Sequence, residues 1–185
     1  MTEKRSVLRD DGALPEVVSS RTVYEGKVVS LRVDEIALSQ GGTAVREVVE
    51  HSGAVVMAAV DEQRNVYFVR QYRHPVGGYL LELPAGGLEP GEEPMAAAKR
   101  ELREEVGLLA ERWTSLGSFY SSPGFANERL YAFLAEGLHQ VADDPDEDEE
   151  LIVIRYPLDR LFLDADEITD AKTLAALMLL RERYG

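Results

Sequence analysis

The sequence predicts an α/β domain, a mixed sheet with helices on its faces, preceded by a small antiparallel sheet and an N-terminal arm. Three observations carry this expectation. Short apolar and β-branched runs alternate with two helix-compatible segments from about residue 45 to the C-terminus. Residues 22–53 contain only β-type runs, with a Gly41-Gly42 turn between two of them. At 185 residues and 45% hydrophobic content, the chain can core one domain with an extension, and falls short of two full domains.

Residues 1 to about 20 mix charges with a glycine and a proline without a period, and read as a mobile or partner-bound arm. From Thr22 the run RTVYEGKVVSLRVDEIALSQGGTAVREVVEHSG has strand texture, with a hairpin at Gly41-Gly42. GAVVMAAV is a continuous apolar run, and DEQRN turns it into the strand VYFVRQYR, which gives two paired core strands. GGYLLELPAGG follows as a short strand entering a glycine-rich turn. After a helix over residues 94–106, RWTSLGSFYSSPG, RLYAFLAEGL and LIVIRYPL read as strands, interrupted by the acidic run DDPDEDEE. TDAKTLAALMLLRERYG closes the chain as an amphipathic helix with Thr169 or Asp170 at its N-cap. No internal repeat is present at solenoid periods.

A net charge of −14 opposes binding to nucleic acid or an anionic membrane. A small anionic substrate meets the same repulsion and needs a cation between it and the protein. The absence of cysteine removes disulfides and thiolate zinc sites and is compatible with a reducing compartment. No window approaches the roughly 20 apolar residues of a membrane span, and MTEKRSVLRDDG lacks a signal-peptide core. The expectation is a soluble, cytoplasmic protein.

The central helix has an unusual distribution of charge. Pro94 suits its first turn and Gly107 the residue past its end. At about 100° per residue, Met95, Ala98, Leu102 and Val106 fall on one stripe, Lys99, Arg100 and Arg103 on a second, and Glu101, Glu104 and Glu105 on a third. The apolar stripe is core. Like charges three and four residues apart repel by a few tenths of a kcal/mol per pair, which a solvated face tolerates and which a hard divalent cation would reverse. Spacing leaves both readings open, with Ala97 between the acids making room for an ion.

The stretch GGLEPGEEPMAAAKRELREEVGL resembles the Nudix box, Gly-x5-Glu-x7-Arg-Glu-U-x-Glu-Glu-x-Gly-U, where U is a bulky aliphatic residue. Gly86, Glu92, Arg100, Glu101, Leu102, Glu104, Glu105, Gly107 and Leu108 fill every fixed position. Pro123, sixteen residues beyond Gly107, is placed as in the ADP-ribose pyrophosphatase group of that family. VREVVEHSGAVV, VRQYRHPVGGYLLELPAGG and TDAKTLAALMLL also resemble that group. The resemblance implies a Nudix-type α/β/α sandwich over residues 45–185, with residues 1–44 forming an arm and small sheet for homodimerisation.

Carried over residue by residue, the resemblance implies Mg²⁺ or Mn²⁺ at Glu101, Glu105, Glu104 and the backbone carbonyl of Ala85. Arg100 would orient the box carboxylates by ion pairing, with Glu92 beside it. A glutamate of the acidic loop, Glu147 or Glu149, would come to the metal cluster as base or metal partner. Arg46, Glu47 and Arg73 would contact the nucleotide or diphosphate, and Glu128 the terminal ribose. The three histidines, His51, His74 and His139, lack metal-ligand spacing and read as structural or exposed.

The implied reaction is divalent-metal-dependent hydrolysis of ADP-ribose to AMP and ribose 5-phosphate, with Glu104, Glu105, Glu147 or Glu149 accepting the proton. Alternatives within the class are a GDP-sugar, a dinucleotide or an oxidised nucleotide as substrate. Another is a non-catalytic module that binds ADP-ribose, although a pure sensor has no need of the full acidic set. A calcium-buffering protein is disfavoured by the lack of any EF-hand pattern.

Overall fold

The computed structural model describes residues 14–141, 151–161 and 168–184, and the chain divides into two compact units, residues 1–50 and 51–185. The first unit is an antiparallel sheet in the order β1 (Val17–Glu25), β2 (Ser30–Ala37), β3 (Thr43–Glu50). Its β2–β3 register runs unbroken from Ser30 opposite Glu50 to Ala37 opposite Thr43. Gly41 and Gly42, at φ of 90° and 83°, make the turn, a conformation that side chains disfavour. The position 44/45 expected to divide the chain falls within β3.

The structure corrects the extent of the arm, because β1 begins at Val17, inside the stretch expected to lack structure. All nine residues of β1 are exposed. With neither face buried, VVSSRTVYE carries no apolar alternation by which a strand is recognised. The remainder of the expected arm, residues 1–13, lies outside the described residues.

In the second unit, β4 (Ala54–Val60) lies inside a mixed sheet of order β10-β5-β4-β9-β8, with β6 (Gly78–Glu82) paired to β5 (Asn65–Arg73) and β7 (Ala85–Gly87) to β4. β9 (Arg129–Gln140) runs parallel to β4, whereas β8 (Leu108–Tyr120) and β10 (Ile152–Pro157) pair antiparallel with β9 and β5. All seven residues of β4 are buried, which explains its continuous apolar run. Val55, Met57 and Ala59 pack with α1 (Pro94–Val106). Val56, Ala58 and Val60 pack on the opposite face, with α2 (Leu158–Leu161) and with Ala176, Leu177 and Leu180 of α3 (Ala171–Tyr184). The result is an α/β/α sandwich. No helix among the described residues is long and apolar enough to cross a membrane.

The segment expected as one short strand, GGYLLELPAGG, is divided. Pro84 has no N–H to continue a ladder; its carbonyl instead accepts the amide of Met57 at 2.8 Å. The chain therefore leaves β5 as β6 and rejoins the sheet beside β4 as β7, directly beneath α1. β8 also starts earlier than expected, at Leu108, immediately after the helix ends.

Asp61 organises the turn between β4 and β5. Its carboxylate accepts the Asn65 amide at 2.8 Å, the Asn65 side chain, and Nη2 of Arg155 from β10. Burial pushes the carboxyl up, but these hydrogen bonds outweigh it and hold the pKa below its ordinary 3.8. A depressed folded-state value stabilises above the ordinary pKa, and that contribution is lost as pH falls through the folded one. Asp61→Asn is expected to cost roughly 1–2 kcal/mol at neutral pH, with the difference from wild type shrinking below about pH 4. Thermal melts at the two pH values check this.

Candidate active site

Helix α1 is built to present charge on one side. Glu93 stands at its N-cap in an extended conformation without a side-chain cap bond, and Pro94 follows in the first turn. Gly107, at φ 66°, ends it by donating its amide to Arg103 O at 3.0 Å. Ala97, Ala98, Leu102 and Val106 are buried against the sheet, with Met95 partly buried beside them. Ala97 was expected to leave space for an ion above the helix; it is instead fully buried in the core, where its small side chain lets the helix approach the strands.

Of the basic stripe, Lys99 and Arg103 are exposed, whereas Arg100 folds back over the acids. Its five N–H groups all find acceptors. Nε and Nη2 donate to the two oxygens of Glu92 at 3.1 and 3.0 Å, and Nη1 donates to Glu101 at 2.7 Å and Glu104 at 3.0 Å. Nη2 also reaches the carbonyl of Gly87 at 3.1 Å. The hydrogen bonds to Glu92 raise the Arg100 pKa still further, and Arg100 with the Glu89 amide holds Glu92 below its ordinary value. One guanidinium thus gathers three glutamates of like charge.

Glu105 is 6% exposed, and its Oε2 accepts the Ala85 amide at 3.0 Å. Glu101 presses against the glycine beside it: a Cβ on Gly86 would stand 1.9 Å from the Glu101 carboxyl carbon. Any side chain at 86 must displace that carboxylate. Strand β7 therefore seats both acids, one through a backbone amide and one through a missing side chain.

Arg73 has other partners than a ligand. Its Nε and Nη2 donate to Glu82 at 2.8 and 2.7 Å, which fixes the guanidinium plane and leaves Nη1 outside that pair. Burial alone would raise the Glu82 pKa, but Arg73 and Lys172 hold it below the ordinary value. The sequence reading missed Glu82. Its signal was a charge at a core position in Leu80-Leu81-Glu82-Leu83.

Arg46 and Glu47 are exposed on β3 of the first unit, with Arg46 Nη1 donating to the Val45 carbonyl. Glu128 lies 3.6 Å from His51 Nδ1, which also accepts the Gly53 amide at 3.0 Å. His139 is exposed and bonded to Glu111, and His74 contacts the Tyr72 ring. Pro123 is exposed in the turn before β9. Glu147 and Glu149 lie outside the described residues.

Among the described residues, no three acidic or histidine side chains stand close enough to enclose an ion. The donor chemistry nonetheless fits a hard divalent cation. Glu101 and Glu105 offer carboxylate oxygens from one side of α1, beside the backbone of Ala85, with no nitrogen or sulfur donor among them. Arg100 offsets the like charges of Glu101 and Glu104.

Residues 49–177 match the NUDIX domain. The chain belongs to the Nudix family. An ADP-ribose pyrophosphatase of Mycobacterium tuberculosis is 46% identical over 146 residues, covering 77% of this chain and 70% of that one. An ADP-ribose pyrophosphatase of Bacillus subtilis and a methanol dehydrogenase activator of Bacillus methanolicus are each 38% identical over 170 residues, 90% of this chain and 92% of theirs. A crystal structure of an ADP compounds hydrolase superposes with a TM-score of 0.80 at 26% identity, covering 94% of this chain and 96% of the other. The Nudix box is the helix just described together with β7, and Nudix hydrolases generally use divalent metal ions.

Proposed function

We propose that this Nudix pyrophosphohydrolase cleaves the diphosphate of ADP-ribose to AMP and ribose 5-phosphate, using Mg²⁺ or Mn²⁺. The observation that carries the reading is a complete Nudix box folded as one charged face, in a chain up to 46% identical to ADP-ribose pyrophosphatases. When bound, a divalent cation supplies positive charge to diphosphate oxygens and makes a water more acidic. Glu101, Glu105, Glu104 and the Ala85 carbonyl would hold it. Arg100 would hold Glu101 and Glu104 in place for it, and the Ala85 N–H would do the same for Glu105.

The proton from the attacking water passes to a carboxylate, with Glu104, Glu105, Glu147 and Glu149 as the candidates. Arg46 and Glu47 would contact the nucleotide or its diphosphate, and Glu128 the terminal ribose. Arg73 would reach a phosphate with Nη1, the nitrogen outside its pair with Glu82. The exposed Val17, Val18, Val23 and Tyr24 of β1 support a homodimer built through the first unit. A cytoplasmic location accords with the absence of cysteine.

A second reading is another ADP-containing compound as preferred substrate, favoured by the superposition on an ADP compounds hydrolase. A panel of ADP-ribose, another ADP-sugar, an ADP-containing dinucleotide, a GDP-sugar and an oxidised nucleotide separates the two by kcat/KM. ADP-ribose is expected to lead. A lead of about tenfold for another substrate, worth about 1.4 kcal/mol of transition-state binding, would overturn the assignment.

A further inference from the structure

A partly buried network joins α3 to the box, and apart from Arg73 the proposed chemistry gives its members no role. Glu82, whose side chain is 1% exposed, ends β6 and receives Lys172 Nζ as well as Arg73. Lys172 also pairs with Asp170 at 3.1 Å. Asp170 takes the N-cap of α3, accepting the Thr173 amide at 2.9 Å and the Thr173 hydroxyl at 2.6 Å. That same hydroxyl accepts the amide of Leu83 at 2.9 Å, and Thr173 is completely buried.

Two consecutive residues are therefore tied to the first turn of α3, Glu82 at the end of β6 by its side chain and Leu83 in the β6–β7 connection by its amide. The next residues are tied elsewhere. Pro84 O accepts Met57 N, Ala85 N donates to Glu105, and Gly86 makes room for Glu101. Residues 82–86 thus form a short bridge, with α3 at one end and the acids of α1 at the other. A misplacement of about 1 Å at a reacting centre can cost about 10²-fold in rate.

We propose that Thr173 and Lys172 are positioning residues for the cation-binding face of α1, acting through Leu83 and Glu82 on Ala85 and Gly86. The inference rests on Glu101 and Glu105 being the cation's ligands. A network that merely fastened α3 to the sheet would change melting temperature and leave cation affinity alone.

The test uses the full chain and Mn²⁺ alone as probe, titrated by electron paramagnetic resonance, with kcat and KM for ADP-ribose measured in parallel. Thr173→Val keeps the buried volume and removes both hydroxyl hydrogen bonds. It is expected to weaken Mn²⁺ binding and lower kcat by about 10–100-fold, with KM little changed. Thr173→Ser restores both, whereas Asp61→Asn alters melting only. Should Thr173→Val fail to fold, Lys172→Met against Lys172→Arg repeats the comparison.

Wild-type Mn²⁺ affinity and kcat in a folded Thr173→Val or Lys172→Met, despite a lower melting temperature, would overturn the proposal. Retained Mn²⁺ binding in Glu105→Gln would overturn it as well, by removing the ligand set on which it rests. If wild type binds Mn²⁺ through Glu105 and leaves ADP-ribose intact, the substrate reading fails, and the Mn²⁺ titration of Thr173→Val still decides this one.

Discussion

Glu105→Gln is expected to reduce kcat for ADP-ribose hydrolysis by more than about 10²-fold with the fold intact. Glu105 is nearly buried and tied to the Ala85 amide. Glutamine has the same shape and keeps an amide oxygen that can accept that N–H, so packing and the backbone bond survive. What disappears is the negative charge in the place where a cation is to be held. Outer partners of a metal ligand typically contribute about 10–100-fold, and a ligand must contribute more. Turnover at saturating Mg²⁺, set beside a thermal melt, separates lost chemistry from lost structure. A folded variant with wild-type kcat would remove Glu105 from the site.

Arg100→Met is expected to lower activity by about 10–100-fold and to make the protein's stability depend on cation. This guanidinium donates five hydrogen bonds, four of them to Glu92, Glu101 and Glu104. Removing it leaves those acids without their shared counter-charge, and breaking a partly buried charge network costs far more than losing an exposed pair. A bound cation returns some of that charge. Added Mg²⁺ should therefore raise the melting temperature of Arg100→Met more than that of wild type. Arg100→Lys is expected to rescue poorly, because an ammonium has three donors and lacks the planar fork that spans Glu92. Melting curves with and without Mg²⁺, alongside kcat, check both statements. Equal Mg²⁺ shifts in variant and wild type would show that Arg100 does not offset the acids.

The most legible parts of the chain were those with a strong local signal. The apolar run of β4, the proline and glycine bounding α1, and the Gly41-Gly42 hairpin each carry their structure in adjacent residues. The box was legible because its spacing coincides with a helical period and nine of its positions match a known family. The start of β1, Val17–Ser20, was obscured because every residue in the strand is exposed, which erases alternation. Pro84 signalled the break at Leu83-Pro84 locally, but that β6 pairs with β5 and β7 with β4 is set by non-local neighbours, which local propensity does not contain.

The partner of Arg73 was hidden for a related reason. Its charge and position were plain, but Glu82 lies across the β5–β6 hairpin and Lys172 comes from a helix 90 residues further on. A sequence reading assigns a lone arginine to ligand or solvent, whereas the fold supplies a buried carboxylate. Ala97 was misplaced by the helical wheel, which orders angles around the axis and says nothing of how wide the buried face is.

The most direct measurement is release of AMP from ADP-ribose by the wild-type chain, with Mg²⁺ and again with EDTA. The predicted result is stoichiometric AMP and ribose 5-phosphate with Mg²⁺ and none with EDTA. No AMP from well-folded protein at saturating Mg²⁺, or release unaffected by EDTA, would contradict a metal-dependent ADP-ribose hydrolase.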